Sequence, residues 1–277
     1  MINIRKKRSY WGTFLKNKSL LLMTLPALVY FLVFHYLPMG GMWMAFTNYR
    51  YSDGIFGSEF IGLHWFRTFL DGDLSRVTIN TVSYGIAFII LGVITGVFTA
   101  VLFNELKSRT ALKAYQTIMI LPFFMSWVVV ALILYLFLDP MFGVINTALE
   151  ARDLPYVMWY NEPKYWPFIL SFMNIWKGVG MGAIIYFAAI MGIDPSLYEA
   201  ATIDGAGKIA RIRYITLPGL IPIIVILTIM ACGNIFRGDF GLFFAVPNDS
   251  GALMSTTDIL DTYIYRGLKF GQLSLNT

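Results

Sequence analysis

Long apolar runs separated by shorter polar segments dominate the chain. A helix that crosses a bilayer needs about 20 mostly apolar residues, and five runs reach or approach that length. They lie at about 20–46, 77–103, 114–138, 166–191 and 220–236, and the last can extend back through Ile215–Pro218. The runs are continuous and do not alternate in ten-residue pieces, which argues against a membrane β-barrel. The pattern therefore predicts an all-α polytopic membrane protein.

Composition supports this prediction and excludes several other classes. Of the 277 residues, 57% are hydrophobic and 13% charged, and this is too little charge to cover the surface of a soluble protein. Intrinsic disorder is excluded because hydrophobicity is high and the net charge is only +5. A single cysteine, Cys232, excludes an intrachain disulfide, and two histidines leave little for a histidine-rich metal site.

The distribution of charge predicts the orientation. Segments 1–19, 104–113 and 193–219 carry 12 Lys and Arg against 4 Asp and Glu, whereas the alternate segments carry 8 against 12. Positive charge is retained on the cytoplasmic side, so the amino terminus, with Arg5–Arg8, is expected inside. The first apolar run is too long for a cleaved signal peptide, and no small-residue cleavage site follows it.

Two short motifs resemble catalytic or nucleotide sites but are weak. Residues 205–208 read Gly-Ala-Gly-Lys but lack the first glycine and the final Ser or Thr of a phosphate-binding loop, so any ATP is expected to bind elsewhere. Asp71 and Asp73 have the acid-x-acid spacing of a metal and sugar-nucleotide site, although Asp-Gly is also ordinary turn chemistry. A polytopic glycosyltransferase that uses Asp71 and Asp73 is therefore an alternative function.

Polar residues within the apolar runs are the candidates for a substrate path, because burying them in hydrocarbon is costly. Lys177 lies near the middle of the fourth run, beside Trp176 and one turn after Asn174, and Asn234 lies in the fifth. Lys177 either lines an aqueous path or makes a structural contact between helices. Glycines spaced by four residues, at 92 and 96 and at 178 and 182, predict close packing between helices.

The inside loop after the fourth run has a helix–glycine–helix pattern. Asp194 is a suitable N-cap and Pro195 fits the first helical position. The helix over 197–201 is expected to end at Asp204-Gly205, because glycine permits a sharp left-handed corner. A second, amphipathic helix should follow, with Ile209, Ile212 and Ile215 on one face. This shape suits a projecting loop that binds to another protein. The alternative is that the second helix lies on a surface of anionic lipid.

At these residues the sequence resembles the membrane subunits of binding-protein-dependent ABC importers of the maltose-transporter type. Their hallmark is Glu-Ala-Ala, then Asp-Gly-Ala after two residues, then Ile-Thr-Leu-Pro; here these stand at 199–201, 204–206 and 215–218. Further agreement lies in Trp176-Lys177-x-x-Gly180 and in residues 261–267, which resemble the branch importing oligosaccharides or polysaccharide fragments in Gram-positive bacteria.

The resemblance implies a type I ABC importer permease in the bacterial plasma membrane, with residues 1–19 as a cytoplasmic segment and 20–277 as the permease domain. The loop 193–218 would contain the coupling helix, seated on a cytoplasmic ATPase through Glu199, Ala200, Ala201, Asp204, Gly205, Ala206 and Gly207. The chain would have no catalytic residues or cofactor of its own, and ATP and Mg²⁺ would bind to two partner ATPase subunits.

The other implied partners are a second, homologous permease and an extracellular sugar-binding lipoprotein, and nucleic acid is not expected. Relatives with different substrates share Lys177, which favours a structural or gating role for it, while Asn174, Trp176 and Asn234 remain candidates for sugar contact. Relatives also have a sixth span, expected beyond the five runs found here. A permease for a non-sugar solute and a non-transporting receptor are further alternatives.

Overall fold

The computed structural model describes residues 17–70 and 72–270. The described residues divide into two units, one up to residue 72 and one from residue 73 to residue 270. The predictions for Arg5–Arg8 and for Asp71 lie outside the described residues, and a sixth span stays a prediction.

The first unit contains the first predicted span. Its helix α1 (Lys18–Phe46) has no buried residue in the isolated chain and is exposed over most of its length, as expected for an apolar helix whose surroundings are lipid or other subunits. The hairpin that follows pairs Thr47 with Phe60 in a short antiparallel ladder, and Trp65 Nε1 donates to Thr47 O. The remaining elements of this unit are β1 (Thr47–Asn48), α2 (Gly54–Gly57), β2 (Glu59–Phe60) and α3 (His64–Leu70).

All regular elements among the described residues of the second unit are helices, joined by turns and irregular segments. Three of its helices are long and apolar enough to span a membrane, namely α4, α8 and α10. The helices are α4 (Leu74–Glu105), α5 (Arg109–Phe124), α6 (Trp127–Leu138), α7 (Val144–Glu150), α8 (Pro163–Met191), α9 (Pro195–Ile203), α10 (Lys208–Cys232), α11 (Phe240–Ala245), α12 (Met254–Thr257) and α13 (Leu260–Phe270).

A core at one end of these three spans holds them together. Ala100 of α4, Tyr186 and Ile190 of α8 and Leu220 of α10 are buried against one another. Gly96 of α4 faces the ring of Tyr186, and a Cβ there would lie 3.0 Å from it. The prediction of close packing is confirmed for Gly96.

A second close approach involves Gly180, which is not one of the glycines predicted for packing. A Cβ at Gly180 would overlap the backbone carbonyl of Met119, so the absent side chain lets α8 lie directly on α5. By contrast, a Cβ at Gly92, Gly178 or Gly182 would meet nothing within 4 Å. The four-residue spacing of glycines therefore did not identify Gly180, the glycine at which the backbones of α5 and α8 meet.

The third predicted span, 114–138, is not one straight helix. The chain forms α5 and α6 instead, bent by 99° at Met125 and Ser126. Pro122 tightens the end of α5, Met125 is extended, and Ser126 caps α6 by accepting a hydrogen bond from Val129 N. Pro122, which disfavours a continuing helix, and Ser126, a good N-cap residue, together indicate that one helix ends and another begins here. The sequence analysis overlooked this signal.

The fifth predicted span also differs from the structure. The amphipathic helix expected after the corner and the apolar run beyond it form one helix, α10, which ends at Cys232 and not at Phe236. Pro218 does not break α10, because a π-helical turn at Ile212–Thr216 precedes it. A wider turn relieves the clash between a proline ring and the carbonyl four residues earlier.

The segment after α10 folds back as a structured cap. It contains α11, α12 and α13, and it surrounds a second core with Trp166 and Leu170 of α8. Its buried contributions to this core are Leu242, Phe243, Val246, Leu253 and Ile259. The polar stretch Asp258–Lys269, which contains residues 261–267 of the family resemblance, therefore belongs to a packed structure.

Candidate functional sites

The inside loop has the predicted helix and corner. Asp194 caps α9 by accepting a hydrogen bond of 2.9 Å from Ser196 N, and this bond, with one from the Ser196 side chain, holds the pKa of Asp194 below its usual range. Gly205 has a φ of +76°, the left-handed conformation that favours glycine. The N–H of Ala206 then donates to Ala201 O at 2.8 Å, which closes the end of the helix.

The end of the loop presents a mixed polar and apolar surface. Glu199, Ala200, Asp204, Gly205 and Gly207 are exposed, and Ala201 and Ala206 are half-buried. Two large apolar side chains flank the corner, Ile203 at 86% and Ile209 at 81% exposure. Apolar side chains exposed beside a polar loop are typical of a surface that contacts another protein.

Three polar contacts fix this loop to the spans. The Tyr198 hydroxyl lies 3.0 Å from Thr216 Oγ1 of α10, and Arg211 Nη1 donates to Thr202 Oγ1 at 3.1 Å. At the start of α10, Lys208 Nζ lies 3.1 Å from Glu105 Oε2 at the end of α4. α10 runs from the corner into the span as one continuous helix, so these contacts join α9 to a helix long enough to cross a membrane.

Lys177 contacts the bend in the third span and not a carboxylate. Its Nζ donates to Phe123 O at 3.0 Å and lies 5.0 Å from the centre of the Trp127 ring. Trp127 Nε1 in turn donates to Asp239 Oδ2 at 2.7 Å. Lys177 thus satisfies one of the carbonyls left without a partner where α5 ends.

The candidate path residues do not form one cluster. Trp176 packs against the second core, and Asn174 is half-buried on α8. Asn234 lines a cavity of about 230 Å³ between α4, the end of α10 and the start of α11, which Asn174, Trp176 and Lys177 do not line. Phe88 and Phe243 contribute aromatic walls to this cavity.

An ionic cluster that sequence reasoning missed joins the cap to α4. Asp258, which is 3% exposed, lies 2.6 Å from Arg266 Nη2 and 3.6 Å from Arg76 Nη2 of α4. Asn80 Nδ2 and the Tyr84 hydroxyl of α4 donate to backbone carbonyls of the same segment. The spacing of Asp258, Thr262 and Arg266 by four residues was the available signal, and in the structure Asp258 lies just before α13, which carries Thr262 and Arg266.

The acid pair proposed for the alternative enzyme receives no support. Asp73 lies at the start of α4, where its Oδ1 pairs with Arg76 Nη2 at 3.2 Å, and Asp71 lies outside the described residues. Within residues 17–70 and 72–270, no group of three or more His, Cys, Asp or Glu side chains is placed to hold a metal ion. A glycosyltransferase is therefore not favoured.

The fold and the loop are those of a polytopic membrane component of a transport system. The chain belongs to the family of binding-protein-dependent transport system inner membrane components, whose family model matches residues 92–260. This confirms the importer permease class predicted from the loop.

One curated relative is the polygalacturonan/rhamnogalacturonan transport system permease protein YteP of Bacillus subtilis, 35% identical over 95% of this chain and 82% of the relative. Two solved structures are also similar at 34% identity. One is a bacterial alginate ABC transporter in complex with an alginate pentasaccharide-bound periplasmic protein, with a TM-score of 0.85 over 96% of this chain and 88% of the matched chain.

The other is a bacterial ABC transporter involved in the import of the acidic polysaccharide alginate, with a TM-score of 0.84 over 95% of this chain and 88% of the matched chain. Likeness at this level shows the type I ABC importer transmembrane fold.

Proposed function

We propose that this chain is the permease subunit of an ATP-driven importer for oligosaccharides or polysaccharide fragments. It forms the translocation path with a second, homologous permease in the plasma membrane, with its amino terminus in the cytoplasm. The observation that carries the proposal is the exposed helix α9, whose Glu199–Gly207 end matches the family loop and is fixed to the spanning helix α10.

Coupling to ATP hydrolysis would occur at that end. Glu199 would pair with a basic residue of the cytoplasmic ATPase, while Ala200 and Ala201 permit a close fit. The exposed Ile203 and Ile209 supply apolar area on either side of the corner. Closure of two ATPase subunits around ATP would then push α9, and with it α10, so that the paired permeases alternate between inward- and outward-facing states as rigid bodies.

The names of similar proteins support the proposed class of cargo. The names of YteP and of the alginate transporters refer to polysaccharides rich in acidic sugars, and an acidic polysaccharide fragment is accordingly the proposed substrate class. An extracellular sugar-binding lipoprotein would deliver it to the cap of α11–α13, since the alginate structure contains a periplasmic protein with bound pentasaccharide. The cap is joined to α4 by the Asp258 cluster, which would give the binding protein a firm surface.

Uptake by whole cells tests the cargo. A strain that lacks this chain should fail to accumulate labelled oligogalacturonides or alginate oligosaccharides, and the chain supplied in trans should restore accumulation. Restored accumulation of a non-sugar solute, with no sugar taken up by either strain, would instead favour a permease for another class of solute.

A further inference from the structure

The loop between α6 and α7, residues 139–143, presents two large apolar side chains at the surface of the chain. Met141 is 82% exposed and Phe142 is 86% exposed. They follow the last turn of α6 closely, and residues 140–149 include no charged amino acid. Adjacent apolar side chains that are this exposed indicate a surface covered by something other than water.

Hydrogen bonds hold this α6–α7 loop in one conformation. Asp139 Oδ1 accepts from Met141 N at 2.9 Å and from Phe142 N at 2.7 Å. Gly143 N donates to Asp139 O at 3.1 Å, and a Cβ at Gly143 would overlap the backbone of Asp139. The backbone that carries the two apolar side chains therefore has internal partners for these N–H groups, as a segment in contact with lipid requires.

Asn146 of α7 fixes the base of the loop. Its side chain is buried, and Nδ2 donates to Pro140 O at 3.1 Å and to Val157 O at 2.9 Å. Its Oδ1 accepts a hydrogen bond from Trp159 Nε1 at 3.2 Å. A buried amide with partners on both sides ties the loop to the segment that leads into α8, so the loop projects its apolar side chains from a firm base.

The loop lies at the boundary of the bilayer. α6 begins beside the middle of α8, where the Trp127 ring lies 5.0 Å from Lys177 Nζ. It ends near the start of α8, where the Tyr135 and Tyr160 ring centres are 5.5 Å apart. Its 12 residues measure about 18 Å, and half of the hydrocarbon core is about 15 Å. A helix that starts near the bilayer centre therefore ends among the headgroups, where tyrosine and tryptophan are enriched.

The exposed face of α6 leads to this loop and favours lipid over another protein as its neighbour. Val128, Leu132 and Leu136, spaced by four residues, are exposed on one face of the helix. All exposed side chains of α6 are large and either aliphatic or aromatic, whereas contacts between membrane helices are enriched in small residues. Met141 and Phe142 continue this apolar surface beyond the end of α6.

We infer that the α6–α7 loop is a lipid-binding surface that inserts Met141 and Phe142 at the boundary between the acyl chains and the headgroups. The loop thereby fixes the depth at which α6 lies in the bilayer. The inference goes beyond the proposed transport function, because it requires only that the chain spans a membrane and not that the cargo is a sugar.

The test measures the surroundings of a nitroxide spin label at Met141→Cys and, in a second variant, at Phe142→Cys. Each is made together with Cys232→Ser, which removes the natural cysteine of this chain. The complete importer, with its other subunits free of cysteine, is reconstituted in nanodiscs of phosphatidylethanolamine and phosphatidylglycerol. Collisions of the label with oxygen, which concentrates in lipid, are compared with collisions with a nickel chelate, which remains in water.

Arg152→Cys is the matched control, because Arg152 is exposed in the same connection between α6 and α8 but lies beside Glu150 and Asp153 in its charged part. The ratio of oxygen to nickel collision rates should be severalfold higher at positions 141 and 142 than at position 152. Membrane abundance is measured by immunoblot in parallel. If one of the two loop variants fails to accumulate, the other provides the same comparison.

Equal ratios at the three positions would place Met141 and Phe142 in water and overturn the inference. A fall in nickel collisions when the sugar-binding lipoprotein is added would then identify a soluble protein as the partner of this surface. Low collision rates with both reagents would show that another subunit covers the loop, which also overturns the inference. A wild-type importer that takes up no sugar would refute the proposed cargo and leave the collision ratio as the test of lipid contact.

Discussion

Lys177 Nζ donates a hydrogen bond of 3.0 Å to the backbone carbonyl of Phe123, at the point where the third predicted span bends by 99°. The most prominent charge within the spans thus stabilises a break in a neighbouring helix. This contact explains a lysine at that position without requiring contact with the cargo.

Replacing Lys177 with Met should destabilise the permease without changing its substrate preference. The carbonyl of Phe123 would lose its charged donor, and we expect the free energy of unfolding to fall by about 1–3 kcal/mol. Thermal unfolding of the purified importer in detergent measures this. Lys177→Arg retains a donor and should lie close to wild type. A variant that unfolds like wild type but loses uptake of acidic cargo alone would contradict a structural role.

Gly180 should not tolerate alanine, whereas Gly178 should. A Cβ at Gly180 would overlap the backbone of α5, which cannot move aside as a flexible side chain can, and overpacking of this kind costs about 1–3 kcal/mol. A Cβ at Gly178 meets nothing within 4 Å, so alanine there should be neutral or stabilising by up to about 1 kcal/mol. Equal unfolding temperatures for the two variants would show that α5 and α8 do not meet at Gly180.

Asp258→Asn should loosen the cap from α4. The substitution keeps the shape of the side chain but leaves Arg266 and Arg76 without their shared carboxylate, and breaking a buried pair costs about 3–5 kcal/mol. The control is Asp249→Asn, because Asp249 is more exposed and is 3.4 Å from Arg266, and about 1 kcal/mol or less is expected there. Limited proteolysis between residues 248 and 270 is the readout. Equal cleavage in both variants would contradict the role assigned to Asp258.

Sequence pattern predicted those features whose cause is local. The long apolar helices follow from composition. The helix and corner of the inside loop follow from Asp194, Pro195 and Gly205, whose conformations depend mainly on their neighbours in the chain.

The bend after Phe124 was missed because the apolar pattern continues through it, although Pro122 and Ser126 carried the local signal. Two partners were beyond sequence reasoning: the carbonyl of Phe123, 54 residues from Lys177, and Arg76 of α4, which pairs with Asp258. Nothing in a single sequence indicates which carbonyl or arginine tertiary packing brings to such a side chain.

Coupling through the inside loop is the central claim, and sugar-stimulated ATPase activity of the complete importer, measured together with uptake, tests it most directly. Glu199→Lys reverses the charge on the exposed face of α9, and Gly205→Pro forbids the positive φ of the corner. The control is Glu150→Lys, at an exposed glutamate predicted to lie outside. We predict that both loop variants reach the membrane at wild-type levels and lose uptake and stimulated ATPase activity, while the control retains both. Normal uptake and stimulated ATPase activity in both loop variants would contradict the claim.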